Sequence, residues 1–248
     1  GAFFNGTDFV MPAMLTFENK RFAPPPYTGP ATGELGSYAL FDYENKLFAE
    51  TTKKVGPYLA EIGYVGDLDI NTIITKDGPR ALEFSARLGF PSTCLQMQNC
   101  KGDWTQFLYD VATGQAQFYP VIDSWCVGVL LITSPAPYED QIREQDRYVG
   151  LPIYGLERLA EKRWKPENFY PLDLYMDEEG EPVSAGTGFL GVACGNGSFL
   201  GEAQDNAYAG LNKVTCTYAY ARMDIGSRFF RERDFLQKAG YLPHLVEW

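Results

Sequence analysis

Two β-rich runs, Asp69–Thr75 and Arg80–Ser85, stand on either side of Lys76-Asp77-Gly78. No other stretch restricts the fold as strongly. An Asp-Gly pair between such runs specifies a tight hairpin, because glycine tolerates the positive φ that these turns require. Pro79, directly after the turn, costs little at a strand start. Alternation then assigns faces: Asn71 and Ile73 point to one side of their strand, and Glu83 and Ser85 share one face of the returning strand. Arg87 joins that face if the strand continues.

Around the hairpin the chain predicts an α+β protein. Ala2–Leu15 reads as two strands about a turn at Asn5-Gly6-Thr7-Asp8. A Pro/Gly loop, Phe22–Gly36, follows, long enough to suggest a functional segment. Leu47, Val55, Leu59 and Ile62 recur at helical spacing within Glu44–Ile62, where Pro57 demands a kink or two short helices. A helix is expected over Asp103–Thr113. Beyond about residue 120 come an apolar strand, Trp125–Thr133, a Ser134-Pro135-Ala136-Pro137 break and a short helix, Tyr154–Lys162. An acidic turn, Asp177–Gly180, precedes a strand at Gly188–Cys194. Gly195-Asn196-Gly197-Ser198 then leads into a helix with Leu200, Ala203, Ala207 and Leu211 on one face and Ser198 as its cap. Asp224 is a candidate cap for a last helix stopped by Gly240 and Pro243. At 248 residues and 45% hydrophobic content the chain can fill one large core or two modest ones. We expect two, residues 1–120 and 121–248.

Composition removes several classes of function. A formal net charge of −11 without a basic stripe argues against nucleic acid as a partner. No apolar run reaches the roughly 18 residues of a membrane span, so no membrane partner is expected. The single histidine, His244, rules out Ser-His-Asp and Cys-His constellations and multi-histidine zinc sites. Five cysteines without a CxxC pair or a secretory signal read as reduced thiols in a cytoplasmic protein, with Trp125, Cys126 and Cys194 in the core. Chemistry is left to carboxylates, backbone amides, bound metal and a few cations: Lys20, Arg21, Arg87 and Arg222.

Two constellations remain. The Gly195–Ser198 turn could cradle phosphate, although it lacks the lysine of a P-loop, or it could be a plain turn with a cap. Glu83 with Ser85 offers hard oxygen donors of the kind Mg²⁺ takes beside phosphates, and Arg87 could stabilise charge on a transferring group. Spacing alone equally suits an exposed strand carboxylate near an arginine.

The run Gly66–Pro91, with Gly78-Pro79 and Leu82-Glu83-Phe84-Ser85-Ala86-Arg87-Leu88-Gly89, resembles the phosphoribosylamine–glycine ligase (glycinamide ribonucleotide synthetase) family of ATP-grasp enzymes. Glu18-Asn19-Lys20-Arg21 and Gly29–Tyr38 are similar to an upstream motif of that family. Val127–Leu130, Gly150-Leu151-Pro152, Glu202-Ala203, Ala207-Tyr208 and Arg222–Gly226 are similar to its C-terminal domain. The resemblance implies the C-terminal part of an ATP-grasp domain, mostly antiparallel sheet with helices, followed by a small β-rich C-terminal domain. It implies Glu83 and Ser85 as Mg²⁺ ligands, and Arg87 and Lys20 as catalytic cations. Arg21, Thr32, Gly33 and Gly36 would bind substrate. The implied partners are ATP, glycine and phosphoribosylamine, joined through an acyl phosphate in purine biosynthesis.

This sequence departs from the family pattern in placing Ser85 where the family has Asn, and Phe90 and Ser92 where it has Asp and Glu. Ala31 and Glu34 replace Asn and Gly in the substrate loop. Two further expectations follow: a ligase of altered substrate, or a binding scaffold that kept the fold. Gly1 stands where an initiator Met would be expected, so a fragment boundary is anticipated. Without the family's N-terminal domain and nucleotide lid, the chain alone is expected to bind ATP weakly.

Overall fold

Alternation along the first strand, β1 (Ala2–Asn5), sends Phe3 and Phe4 to opposite faces of a sheet, and each belongs to its own core cluster. The computed structural model describes residues 1–26, 29–43, 45–122, 125–133, 148–158 and 167–242. The Asn5 side-chain oxygen accepts the amides of Thr7 and Asp8 at 3.0 Å and turns the chain into β2 (Phe9–Val10), with Phe4 opposite Phe9. The expected second strand is interrupted at Pro12, which has no N–H to donate, and resumes as β3 (Ala13–Glu18). The Pro/Gly loop leads to β4 (Gly36–Asp42); its Tyr27 and Thr28 lie outside the described residues.

The helical stretch before the hairpin is two helices, α1 (Lys46–Glu50) and α2 (Gly56–Glu61), joined by a 3₁₀ turn, Thr52–Val55. Glu44 is outside the described residues. Asn45 caps α1 by accepting the Phe48 amide at 3.0 Å. Pro57 falls in the first turn of α2, where a missing N–H costs nothing. Phe48 and Leu59 are buried, but Ile62, expected on the apolar face, is 54% exposed because it follows the last turn of α2.

The hairpin forms β5 (Val65–Thr75) and β6 (Gly78–Ser85), with Lys76-Asp77 as its two-residue turn and Gly78 at φ +101°. Sheet order is β2-β1-β5-β6, all antiparallel. Next come α3 (Ser92–Asn99) and α4 (Trp104–Ala112). Asp103 caps α4 by accepting the Gln106 amide at 3.0 Å. Nothing in the sequence pattern announced α3, since its buried side chains include Gln96, Gln98 and Asn99 rather than an apolar stripe. On the Phe3 side of the sheet, Phe107 and Trp104 meet Phe3 edge-on, with ring centroids 5.1 and 5.8 Å away.

β7 (Trp125–Thr133) is buried at every residue, as its unbroken apolar run requires. The Ser134–Pro137 break lies outside the described residues. β8 (Ile153–Tyr154) and a 3₁₀ turn, Leu156–Arg158, occupy the start of the expected Tyr154–Lys162 helix; residues 159–162 lie outside the description. Tyr154 is strand because it pairs with Thr215. Then follow β9 (Glu167–Pro171) and a hairpin of β10 (Leu174–Met176) and β11 (Pro182–Ser184) around the acidic turn. There Asp177 accepts the amides of Glu179 and Glu181 at 3.1 and 2.8 Å. β12 (Phe189–Gly197) pairs with β7 and β9.

α5 (Leu200–Leu211) buries Leu200, Ala203, Ala207 and Leu211, the face expected. β13 (Thr215–Cys216) pairs with β8, and β14 (Ala219–Tyr220) with β7. α6 (Phe229–Ala239) ends at Gly240, whose φ of +77° closes the helix. Asp224 does not cap it, because its carboxylate is held by Arg222. Pro243 and His244 are outside the described residues. All five cysteines are free thiols, and Trp125, Cys126 and Cys194 are buried.

Contacts group the residues into two compact units. The first holds Gly1–Thr16, Ala39–Ser124 and Arg228–Trp248; the second holds Phe17–Tyr38 and Trp125–Ser227. Within the first, the Lys46 ammonium donates to the Ala239 carbonyl at 2.7 Å, and Tyr241 donates to Glu50 Oε2 at 2.8 Å. These bonds tie α6 to α1.

Candidate active-site elements

Register along the hairpin decides which side chains share a face. Asn71 lies opposite Glu83 and Asp69 opposite Ser85, so Asp69, Asn71, Glu83 and Ser85 crowd one side. Asn71 Nδ2 donates to Glu83 Oε1 at 3.0 Å, which aims one carboxylate oxygen across the strands. A bulge at Leu82 separates this pair from the next, Thr72 opposite Ala81. Glu83 is exposed and Ser85 half-buried. β6 stops at Ser85, so Arg87 is not a strand residue, and the expected continuation of the face fails there. Its guanidinium instead donates to the neighbouring Leu88 carbonyl at 3.4 Å. The chain then bends toward α3, whose Thr93 hydroxyl donates to the Gly89 carbonyl.

One residue of this edge was missed from sequence. Asp67 sits on the same face, 6% exposed, opposite Phe3, and accepts a bond from Gln96 Nε2 at 3.2 Å. Burial pushes its carboxyl up to about 6; the Gln96 bond and, more weakly, the Arg87 charge oppose that shift. A period-two count from Asp69 places Asp67 on this face, but burial of a lone carboxylate is invisible in a strand pattern.

The second unit holds the other expected residues. Lys20 Nζ pairs with Glu18 Oε2 at 2.9 Å. Arg21 forms a bridge with Ala31, and Thr32 donates both its amide and its hydroxyl to the Lys20 carbonyl at 2.7 Å. These contacts bring Lys20, Arg21 and Thr32 together at the base of one loop. Gly33 has no neighbour within 4 Å of where a Cβ would stand. Gly36 is different: a Cβ there would lie 2.7 Å from the Gly128 carbonyl oxygen, so its smallness serves packing on β7. Glu34 is buried in the same loop.

Arg222, one of the four cations that could have met a phosphate, is built into the interior. It is 2% exposed, its Nε and Nη2 reach the two oxygens of Asp224 at 2.9 and 2.7 Å, and its Nη1 donates to the Arg21 carbonyl at 2.9 Å. Tyr208 donates to the Arg222 carbonyl at 3.1 Å and accepts the Ile225 amide at 2.9 Å. Burial raises its phenol to about 12. The group holds the backbone at Arg21, beyond the end of β3.

Gly195–Ser198 is neither a phosphate cradle nor a turn. Gly195 and Gly197 lie in β12, where a Cβ would fall 2.1 Å from the Ala207 nitrogen and 2.4 Å from the Ala203 nitrogen. The glycines let α5 lie directly on the strand. Ser198 does not cap that helix; Phe199 occupies the cap position, and the Ser198 amide donates to Glu202 Oε2 at 2.7 Å.

The mixed, mostly antiparallel architecture is the ATP-grasp fold. No family model matches the chain. It is similar to the C-terminal part of phosphoribosylamine–glycine ligases: that of Halalkalibacterium halodurans is 30% identical over 243 residues, 94% of this chain and 52% of the relative. The Streptococcus pyogenes serotype M1 enzyme of the same name is 27% identical over 242 residues, 93% of this chain and 53% of its own length. The crystal structure of phosphoribosylamine–glycine ligase from Thermotoga maritima superposes with a TM-score of 0.65. It has 23% identity and covers 90% of this chain and 53% of that one. The chain thus spans about half the length of the curated relatives it matches. No helix among the described residues is long and apolar enough to cross a membrane.

Proposed function

We propose that this chain supplies the C-terminal half of an ATP-dependent carboxylate–amine ligase that joins glycine to phosphoribosylamine. The observation carrying this reading is the Asn71–Glu83 pair on a face shared with Asp69 and Ser85, within a chain similar to these ligases over 94% of its length. Glu83 and Ser85, with Asp69 beside them, offer hard oxygens of the kind Mg²⁺ prefers. Among the described residues no three His, Cys, Asp or Glu side chains form a closed metal cage. Mg²⁺ takes one or two carboxylates and completes its shell with water and phosphate oxygens. When bound, the metal would neutralise charge on the phosphates of ATP.

The side chains carry the remaining work. Arg87, outside the strand and exposed, is free to face an anionic acyl phosphate. In the second unit Lys20 and Arg21, with Thr32, Gly33 and Gly36 shaping the loop, hold the anionic groups of the substrates. Ligation needs orientation and charge stabilisation rather than a side-chain nucleophile, so one histidine suffices for the whole chain.

Joining the N-terminal half of the Halalkalibacterium halodurans enzyme ahead of Gly1 tests the reading. Glycine- and phosphoribosylamine-dependent ADP release is expected, and Glu83→Ala should abolish it. A folded chimera that binds ATP but releases no ADP with these substrates would overturn it.

Glu34 favours a second reading. A buried carboxylate in the loop assigned to substrate suits an amino acid bearing an additional cation, or another carboxylate donor than glycine. An amino-acid panel on the same chimera separates the two.

A further inference from the structure

Among the described residues, Tyr218 is the one non-glycine with a positive φ, at +62°. With Thr217 it turns the chain between β13 and β14, in a backbone conformation that suits glycine or asparagine and strains a bulky side chain. Its ring is 60% exposed and meets Tyr148 edge-on at 6.0 Å. A contact that leaves most of the ring in solvent does not explain why the strain is kept. Strain of this kind collects at binding sites. The neighbouring strands carry more of the same chemistry. Tyr148 leads through Gly150 into β8, and a Cβ on Gly150 would lie 3.4 Å from the Tyr175 hydroxyl, so the β10 ring reaches this segment. Val183 of β11 lies opposite Tyr175 and bridges to Pro152, and alternation puts Tyr154 on the side of Pro152. Tyr154, Tyr175 and Met176 are exposed, while Ile153, on the other side of β8, is buried. Directly after Met176, the turn between β10 and β11 carries Asp177, Glu178, Glu179 and Glu181. None of these carboxylates pairs with a cation among the described residues.

We propose that this tyrosine surface, with its acidic rim, docks an arginine-bearing segment of another polypeptide. Charge selects the occupant. A chain at −11, with carboxylates set beside exposed rings, repels nucleic acid and acidic peptides and attracts cations. Chemistry then selects arginine. Its guanidinium stacks on a tyrosine face and offers a carboxylate two parallel donors, which an ammonium cannot match. Tyrosine supplies that area at little cost in side-chain freedom, as hot spots of interfaces do. The proposal does not depend on the ligase reading, since none of these residues belongs to the hairpin edge or to the Pro/Gly loop.

Peptide binding tests the surface on the chain as it is. A labelled arginine–glycine repeat is titrated by fluorescence anisotropy, beside a lysine–glycine repeat of equal length and charge. We expect the arginine peptide to bind about tenfold tighter than the lysine peptide. Tyr218→Asn should weaken the arginine peptide by about tenfold and leave the thermal midpoint unchanged or raised, because asparagine accepts this backbone. If that variant does not fold, Tyr218→Gly repeats the test. Full affinity for the arginine peptide in a folded variant overturns the proposal. Equal affinities for the two peptides also overturn it, by reducing the surface to plain charge attraction. A lowered midpoint does so as well, since Tyr218 would then be held for packing. Self-association of the parent that Tyr218→Asn abolishes would make a second copy the occupant, and it too overturns the proposal.

Discussion

The Arg222 guanidinium donates to the backbone carbonyl of Arg21 at 2.9 Å across 201 positions of sequence, while gripping both oxygens of Asp224. The contact joins the base of the Pro/Gly loop to the segment after the last strand of the second unit through one side chain. Removing Arg222 leaves the half-buried Asp224 carboxylate and the Arg21 carbonyl without their donor, a loss of about 1–3 kcal/mol. Arg222→Leu should therefore lower the stability of the chain by that order in denaturant unfolding. Arg222→Lys should restore little of it, because an ammonium cannot reproduce the planar fork.

Gly195 and Gly33 make a matched pair of probes. An alanine at Gly195 drives a Cβ to within 2.1 Å of the Ala207 nitrogen, so the helix must shift off β12. We expect Gly195→Ala to cost about 1–3 kcal/mol or more, as overpacking does. Gly33→Ala meets nothing within 4 Å and should leave stability within about 0.5 kcal/mol. Thermal unfolding of both variants checks the contrast.

Asp67 predicts a pH dependence of definite sign. Its carboxyl titrates near 6 in the folded chain against an ordinary 3.8, so the folded state binds the proton more tightly than the unfolded one. Stability from this group is therefore greatest below pH 4, falls as pH rises to about 6, and is level above. At about 1.4 kcal/mol per pH unit the loss is on the order of 3 kcal/mol. Asp67→Asn abolishes that loss, so the stability of the variant relative to the parent should rise by that amount between pH 4 and pH 8 in urea titrations.

At the proposed Mg²⁺ edge, Ser85→Asn places an amide oxygen where the family resemblance expects one. It should tighten Mg²⁺ binding by about tenfold, or 1.4 kcal/mol, measured as the Mg²⁺ concentration giving half-maximal ADP release in the chimera. Unchanged Mg²⁺ dependence in both Ser85→Asn and Glu83→Gln would remove these residues from the metal site.

The hairpin was legible because an Asp-Gly pair between β-rich runs leaves few alternatives, and the Asn71–Glu83 pairing follows from alternation once the turn is placed. The same holds for β7, whose apolar run admits only burial. Two helices were misjudged for opposite reasons. In α3, buried Gln96, Gln98 and Asn99 erase the apolar period that marks a helix. At α5, Ser198 has the ideal cap chemistry, but β12 runs through Gly197 and shifts the cap position to Phe199. The glycines before it looked like a turn because sequence shows absent side chains and not what fills the space. Arg222 and Asp224 were separately visible as charges. Only the fold shows that they satisfy each other and Arg21, which takes Arg222 out of the set of cations able to meet a phosphate.

The Lys46–Ala239 and Tyr241–Glu50 bonds close the first unit with residues made after the whole of the second. During synthesis α1 must therefore wait for α6, and the second unit can finish folding before that contact forms. Interrupting synthesis just before Arg228 would release a chain whose second unit is complete and whose α1 still lacks its partner helix. α6 thus decides when α1 is fixed in place.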